Sequence, residues 1–175
     1  MRKFLAETYS AEKLSAELAN SESVTFIAYK NGTPLGYLKL NIGNAQTEKC
    51  LDNALEIQRI YILKSAKGQG IGSAFMQIAE NFASEKKLST IWLGVWEHNE
   101  PAKKFYKSKG YEKFSHHTFV IGDDMQTDFL LKKKFYDLGQ NKRTAFKDCP
   151  KNVIWFKSKL CDDFAVNRTA KTCGI

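Results

Sequence analysis

Three glycines at every second position, Gly68, Gly70 and Gly72, are the first feature of this sequence that could do chemistry. They follow an alternating apolar stretch, residues 57–63, which predicts a strand, and they lead into a helical pattern. Glycines let a backbone approach a ligand closely, and the first N–H groups of a helix attract an anion with the help of the helix dipole. This spacing therefore indicates a phosphate-binding loop.

The two best-known phosphate loops do not fit this pattern. A P-loop requires Gly-Lys-Ser/Thr at its end, whereas Gly72 is followed by Ser73 and Ala74. A dinucleotide-binding GxGxxG motif that began at Gly68 would need a glycine at position 73. It would also need an acidic residue at the end of a second strand about 20 residues further on, and none is found there.

A second motif follows the next predicted strand, and it contains a tyrosine that could act as an acid. Asn99 is placed to cap a helix, with Ala102, Phe105 and Tyr106 on one face and Gly110 just beyond its end. A phenol can donate a proton to a leaving group within hydrogen-bond reach. From the bare sequence a Phe-Tyr pair is more often helix core, so both interpretations stay open at this point.

The remaining periodicity predicts the elements that would position these two motifs. Helices are predicted at 9–20, 71–86 and 99–110, and strands at 24–29, 35–40, 57–63, 90–96, 111–114, 118–121 and 127–131. Asn31-Gly32 predicts a hairpin between the first two strands, and residues 41–54 are predicted to be loop. A helix connects the strands at 57–63 and 90–96, so they should be parallel, with a right-handed crossover. The sequence therefore predicts an α/β mixed sheet with helices on both faces.

Composition places the chain among globular proteins with a single domain. Its 175 residues are 43% hydrophobic, and no apolar run is long enough to span a membrane. The first residues lack the apolar core of a signal peptide, so we expect a cytoplasmic protein. Residues 137–175 carry half of the formal net charge of +8, which leaves a mildly basic body. That charge fits an anionic cofactor, and without a recognition-helix or RNP-type motif we do not expect nucleic-acid binding as the main role.

The four cysteines are too few and too scattered for a disulfide framework. Cys50 is alone in the body, and Cys149, Cys161 and Cys173 follow at spacings that match no zinc motif. We therefore expect reduced thiols and no bound metal.

Together, the glycine loop and the Asn99 helix resemble two linked motifs of the GCN5-related N-acetyltransferases (GNAT family), which bind acetyl-CoA. Residues 67–72, Lys-Gly-Gln-Gly-Ile-Gly, resemble the pyrophosphate loop Arg/Gln-x-x-Gly-x-Gly/Ala, and residues 99–111 resemble the family's Asn-x-x-Ala-x-x-Phe-Tyr-x-x-x-Gly-Phe helix. The resemblance covers about residues 24–135. The stretches most similar to the PaiA-type polyamine acetyltransferases, which acetylate spermidine and spermine, are 35–46, 55–62, 92–99 and 122–128.

This resemblance implies a mostly antiparallel mixed sheet with a central splayed pair of parallel strands. It also implies acetyl-CoA as cosubstrate and direct transfer of the acetyl group to the amine of a small substrate, with a polyamine as the expected acceptor. The cofactor-binding residues that it implies are Ile62, Leu63, Lys67, Gly68, Gln69, Gly70, Ile71, Gly72, Ser73, Asn99 and Tyr106. Lys67 stands where the family has Arg or Gln, which keeps a positive charge but loses the planar fork of Arg.

The catalytic residues that the resemblance implies begin with Tyr106, as proton donor to the departing thiolate. Glu56 and Glu97, near the ends of the central strands, are the candidates for taking the proton of the attacking ammonium group or for holding a polycation. A solvated carboxylate with no catalytic role is the alternative for each. Contact with the acceptor or a purely structural role is open for His116, His117, Asp123, Asp124 and Asp128. Direct transfer leaves no nucleophilic role for Cys50.

Both ends of the chain depart from the family. Family members begin with a strand and a helix before the part matched by residues 1–20, and they stop close to residue 135. We therefore expect an N-terminally incomplete GNAT domain at 1–136 and a basic tail at 137–175, weakly ordered or forming an added helix. A missing start would impair acceptor binding and expose the strand at 24–29 as an edge that favours homodimerisation. The alternative to an N-acetyltransferase is an acyl-CoA-binding regulatory protein with little or no activity.

Overall fold

The computed structural model describes residues 10–121, 124–134 and 154–157. The helices and strands follow one another in the predicted order, with one further strand at the end. The elements are α1 (Ala11–Ala19), β1 (Ser23–Lys30), β2 (Thr33–Asn41), β3 (Ala54–Ile62), α2 (Ile71–Glu85), β4 (Thr90–Trp96), α3 (Glu100–Ser108), β5 (Glu112–Ile121), β6 (Asp124–Lys134) and β7 (Ile154–Lys157). Short 3-10 turns lie at Gly43–Ala45 and Lys64–Ala66.

Within these described residues, seven strands form one sheet in the order β5-β6-β4-β3-β2-β1-β7. Neighbouring strands are antiparallel except for β3 and β4, which are parallel and connected through α2. The predicted mixed and mostly antiparallel sheet is therefore confirmed.

The parallel pair separates after a short contact. Its register runs from Ala54 opposite Thr90 to Glu56 opposite Trp92. Beyond those residues β3 continues to Ile62 alongside β2, and β4 continues alongside β6. A gap therefore opens in the middle of the sheet, between the second halves of β3 and β4. This is the splayed pair of parallel strands that the family resemblance implied.

The main hydrophobic core lies between one face of the sheet and helices α2 and α3. Phe75 of α2 is completely buried against this face. The core residues that the central strands contribute are Leu38, Leu40, Leu55, Ile57, Ile91, Leu93 and Val95. Because side chains alternate along a strand, the residues between them point to the opposite face.

Helix α1 lies on that opposite face and is joined to it by ion pairs. Lys39 and Arg59 lie directly opposite each other on β2 and β3. The Glu17 carboxylate accepts hydrogen bonds from Arg59 at 2.8 and 3.1 Å, and it lies 2.8 Å from Lys39 Nζ. All nine residues of α1 remain at least partly exposed. Helices therefore lie on both faces of the sheet, as predicted.

The structure corrects the sequence prediction in several places. β3 begins at Ala54, inside the stretch that was predicted to be loop. The two predicted strand segments at 111–114 and 118–121 form one continuous strand, β5, with a register shift after Lys113. The expectation that the tail is weakly ordered or helical is wrong for Ile154–Lys157, which forms β7 and pairs with β1. This segment, Ile-Trp-Phe-Lys, is rich in residues that favour strands.

β1 is consequently not the edge of the sheet that the sequence suggested, because β7 covers it. The boundary after residue 136 stays a prediction, although β7 lies beyond it and belongs to the same sheet. The sequence Gly122-Asp123-Asp124 also predicts a turn, of which Gly122 and Asp123 lie outside the described residues, as does most of the tail, while Asp124 is the first residue of β6.

Candidate active site

The glycine loop has the backbone geometry of an anion site. Gly68 and Gly70 have φ of 77° and 81°, a left-handed conformation that favours glycine. Gly70 caps α2 with its backbone, and no side chain of the described residues bonds to that end of the helix. The N–H groups of Ile71, Gly72 and Ser73 in the first helical turn lack partners within the helix and can bind an anion.

At Gly72 the space around the backbone, and not a left-handed conformation, favours glycine. Three elements of the fold meet at its Cα atom. A Cβ atom at this position would lie 3.3 Å from Cζ of Phe105 on α3 and 3.4 Å from Cδ1 of Ile62 on β3. The first contact is tighter than most Cβ contacts, and the second is at the limit of ordinary van der Waals contact. The start of α2, the end of β3 and the middle of α3 therefore pack directly together, which joins the two motifs into one site.

Two residues at the end of β3, Ile62 and Leu63, were expected to offer backbone groups to the gap, and their backbone groups point in different directions. The N–H of Leu63 donates to the carbonyl of Leu35 on the β2 side at 2.8 Å, and the Leu63 carbonyl accepts from Ala66. Successive backbone groups of a strand point in opposite directions, so those of Ile62 point toward the gap. Ile62 is therefore better placed than Leu63 to hold an extended ligand.

Asn99 caps α3 as predicted. Its side-chain oxygen accepts a hydrogen bond from the Ala102 N–H at 3.2 Å, and Gly110 ends the helix region with a φ of 84°. The capping role uses the oxygen and leaves the amide nitrogen of Asn99 for a ligand. Its contact with a cofactor stays a prediction.

Tyr106 lies on the buried side of α3 and is 6% exposed. Its ring packs near those of Phe105 and Tyr111, at centroid distances of 5.4 and 6.0 Å. Burial raises the pKa of the Tyr106 phenol to about 12, so the group stays protonated at neutral pH. Its hydroxyl donates no hydrogen bond within the described part of the chain, and the proton therefore remains available to a ligand.

An acidic cleft lies where β3 and β4 begin to separate, on the face opposite α2. Its volume is about 140 Å³. Glu48, Glu56 and Asp128 contribute carboxylates to it. The other lining residues are Thr47, Ile57, Gln58, Trp92, Gly94, His117 and Leu130. They come from β3, β4, β5, β6 and the loop between β2 and β3.

Glu56 is 3% exposed and is held by a hydrogen-bond network. Its carboxylate accepts from Asn41 Nδ2 at 3.1 Å, from the Thr47 N–H at 2.9 Å and from the Thr47 hydroxyl. Asn41 in turn accepts a hydrogen bond from the Ser23 hydroxyl at 2.8 Å. Glu56 is thus an anchor for the loop after β2, and both of its carboxylate oxygens already accept hydrogen bonds from neighbouring residues.

Glu97 lies just beyond β4, outside the lining of the cleft. Its carboxylate is 3.8 Å from Nε2 of His98, and its backbone carbonyl accepts a hydrogen bond from Lys103. Of the two predicted proton acceptors, the structure therefore brings Glu56 to the cleft and leaves Glu97 at the open end of the strand.

His117 and Asp128 face the cleft together, since they lie opposite each other on β5 and β6. Nδ1 of His117 lies 2.5 Å from Oε1 of Glu48 without the geometry of a hydrogen bond, and the two form an ion pair whenever the imidazole is protonated. Burial raises the pKa of the Asp128 carboxyl, and Glu48 adds to this effect while His117 opposes it. His116, the neighbouring candidate, is exposed on the strand and does not line the cleft.

Sequence reasoning gave no role to Glu48, Trp92 or Gly94. Glu48 lies in a loop where periodicity carries no information. Trp92 is fixed in the wall of the cleft, because its Nε1 donates to the side-chain oxygen of Gln46 at 2.7 Å. The alternation of β4 was a usable signal, since it places Trp92, Gly94 and Trp96 on the face opposite the main core.

The remaining candidates have less to do with this site. Burial, followed by the charge of Glu48, raises the pKa of the Cys50 thiol, which favours its protonated and unreactive form. The other cysteines and Asp123 lie outside the described residues. Within the described part of the chain, no group of three or more His, Cys, Asp or Glu residues is arranged to hold a metal ion. No helix in that part is long and apolar enough to cross a membrane.

Several solved structures share this fold. PaiA N-acetyltransferase from Thermoplasma acidophilum, in complex with coenzyme A, superposes with a TM-score of 0.60 and 25% identity over 77% of each chain. A probable acetyltransferase from Staphylococcus epidermidis has a TM-score of 0.65 at 17% identity, over 77% of this chain and 82% of its own. The second likeness is one of fold alone.

The sequence itself is similar to named acetyltransferases. An uncharacterized N-acetyltransferase in the pepI 3′ region of Lactobacillus delbrueckii subsp. lactis is 49% identical over 133 residues, which is 76% of this chain and 77% of the relative. The uncharacterized N-acetyltransferase YhfO of Bacillus subtilis is 29% identical over 57% of this chain and 66% of its own. The model of the acetyltransferase (GNAT) family matches residues 2–111. The chain therefore belongs to the GNAT family and is an acetyl-transferring enzyme that uses acetyl-CoA.

Proposed function

We propose that this enzyme acetylates a primary amine of a small cationic substrate, a polyamine such as spermidine or spermine. The observation that carries the proposal is the acidic cleft at the point where β3 and β4 separate. Glu48, Glu56 and Asp128 line this cleft, and a concentration of carboxylates attracts a molecule with several ammonium groups. The similarity to the PaiA enzyme of Thermoplasma acidophilum agrees with the PaiA-type stretches in the sequence.

The glycine loop is the proposed site for the pyrophosphate of CoA. Its left-handed glycines and the start of α2, which has no side-chain cap, support this role, because they present backbone N–H groups to an anion. The exposed side chain of Lys67 adds a positive charge beside them. The proposed binding set extends to Gln69 in the loop, to Ile62 at the end of β3 and to Asn99 on α3.

The proposed reaction is a direct transfer. The amine nitrogen attacks the carbonyl carbon of the thioester, a C–N bond forms, and the C–S bond breaks with the electron pair going to sulfur. Tyr106 is the proposed donor of the proton that the leaving thiolate takes up. The nitrogen of the new amide releases its remaining extra proton to solvent, and solvent restores the phenol. The ammonium group of the substrate must first lose a proton, for which Glu56 or a water molecule between it and the substrate is the proposed acceptor. Glu97 is assigned to attracting the polycation at the open end of β4.

A panel of amines tests the proposal. The full chain is incubated with acetyl-CoA and each amine, and release of the CoA thiol is followed. We expect the highest kcat/KM for spermidine and spermine, lower values for diamines and much lower values for amines that carry a carboxylate near the nitrogen, since the cleft is acidic. A panel in which no amine is acetylated while CoA still binds would contradict the proposal, and so would a preference for anionic amines.

A further inference from the structure

Gly94 lies on β4 between two tryptophans that share its face of the sheet. Neither backbone conformation nor packing requires a glycine there. Its φ lies outside the left-handed region, and an added Cβ atom would meet its nearest neighbours at ordinary distances, Oδ2 of Asp128 at 3.6 Å and Cδ2 of Leu130 at 3.9 Å. This sets Gly94 apart from Gly72, where an added Cβ atom would be crowded, and from Gly70, where φ is positive.

The missing side chain leaves space in the acceptor cleft. Gly94 is exposed, lines the cleft and lies two residues beyond Trp92, the last residue of β4 that pairs with β3. The carboxylate of Asp128 lies directly over it, because its Oδ2 is the nearest atom to the missing Cβ position. Any side chain at position 94 would therefore occupy the space beside that carboxylate.

The walls around this space are held in place. Trp92 is 2% exposed and its indole N–H is bonded to Gln46, while Glu56 is fixed by Asn41 and Thr47. A cleft of about 140 Å³ with such walls loses room when a methyl group is added, because its lining has little freedom to move away.

We propose that Gly94 sets the size limit for the acceptor: the bare backbone leaves room beside Asp128 for a primary ammonium group on an unbranched carbon, and excludes an amine whose carbon is branched. This inference rests on the proposed function and deepens it, since it defines the substrate class as linear diamines and polyamines. The side chain of Trp96, 44% exposed on the same face, offers an apolar surface along which the methylene chain leaves the cleft.

Two diamines that differ only at the carbons next to nitrogen provide the test. 1,4-Diaminobutane has unbranched ends, and 2,5-diaminohexane is the same molecule with a methyl group on each end carbon. We expect the wild-type chain to prefer 1,4-diaminobutane by about tenfold or more in kcat/KM, the discrimination that a fixed pocket achieves against one extra methyl group. The Gly94→Ala variant should show a KM for 1,4-diaminobutane raised by about tenfold, with the KM for acetyl-CoA within about twofold of wild type.

Two control variants separate size from charge and from folding. Gly72→Ala adds the same methyl group on the cofactor side, and it should raise the KM for acetyl-CoA more than the KM for the diamine. Asp128→Asn keeps the size of the side chain and removes its charge. It should raise the KM for both diamines while their ratio stays as in wild type.

The outcomes distinguish this inference from the proposed function. Equal kcat/KM for the two diamines, or an unchanged diamine KM in Gly94→Ala, would overturn the inference while leaving amine acetylation intact. Failure of the wild-type chain to acetylate any primary amine would overturn both. If Gly94→Ala loses thermal stability and binds acetyl-CoA as poorly as the diamine, glycine serves folding at this position and the inference is wrong.

Discussion

The two sides of the gap between β3 and β4 are built in different ways. On the cofactor side, residues 67–73 are consecutive, and their geometry follows from left-handed glycines and the start of one helix. On the acceptor side, the cleft is assembled from four strands and a loop that are far apart in the chain. The anion site should therefore tolerate changes elsewhere in the molecule, whereas the cleft depends on many long-range contacts.

The largest expected effect comes from Tyr106, the proposed proton donor, whose hydroxyl we expect to act in the chemistry more than in the binding of CoA. Replacing it with Phe removes the hydroxyl and keeps the ring that packs near Phe105 and Tyr111. We expect kcat to fall by about 100-fold, the range of general acid catalysis, with CoA affinity within about twofold of wild type. Rapid-mixing kinetics and CoA titration calorimetry measure the two quantities.

The pH profile gives a second check on the same residue. A general acid must be protonated to act, and burial raises the pKa of Tyr106 to about 12. The rate of the wild-type enzyme should therefore show no decline attributable to this group as the pH rises to about 10. A fall in the wild-type rate near pH 9 that is absent in Tyr106→Phe would mean that the phenol has an ordinary pKa and is exposed to solvent.

The next effect concerns the acceptor side alone. Replacing Glu56 with Gln removes the buried carboxylate that accepts hydrogen bonds from Asn41 and Thr47 and places an amide NH₂ among those donors. The variant should lose about 1–3 kcal/mol of unfolding free energy, measured in urea, because a buried donor is left unpaired. It should also bind the amine more weakly and CoA normally. Equal losses for both substrates would show that the two sides are coupled.

The smallest effect concerns the loop on the cofactor side. Replacing Gly70 with Ala introduces a side chain where φ is 81°, which costs roughly 1–2 kcal/mol. Because the strain is local, we expect CoA to bind about tenfold more weakly while the KM for the amine is unchanged. CoA titration and steady-state kinetics measure the two. A rise in the amine KM of the same size would contradict the separation of the two sides.

The difference between the cofactor side and the acceptor side also explains which parts of the site could be predicted from the sequence. The glycine loop, the Asn99 cap and the parallel pairing of β3 with β4 depend on short-range patterns, and the structure has all of them. The cleft could not be predicted in the same way. Glu48 reaches His117 across about 70 residues of chain, and nothing in the spacing of a loop residue indicates its partner. The roles assigned to Tyr106, Glu56 and Glu97 stay predictions.

Strand β7 was not predicted either, because its pairing also depends on residues far apart in the chain. Its four residues are too few to show a period, and they become recognisable only beside β1, from which they lie far away in the chain. The backbone of a short strand is stabilised by its neighbour, so the sequence alone gives a weak signal.

The pairing of β7 with β1 also affects the order of events during protein synthesis. β1 leaves the ribosome roughly 130 residues before β7, which at about 5–20 residues per second is a delay on the order of ten seconds. Throughout that time the unpaired backbone groups of β1 can pair with any other extended chain nearby. The nascent protein therefore passes through a stage at which its rate of synthesis and its local concentration decide between correct closure of the sheet and association with a neighbour.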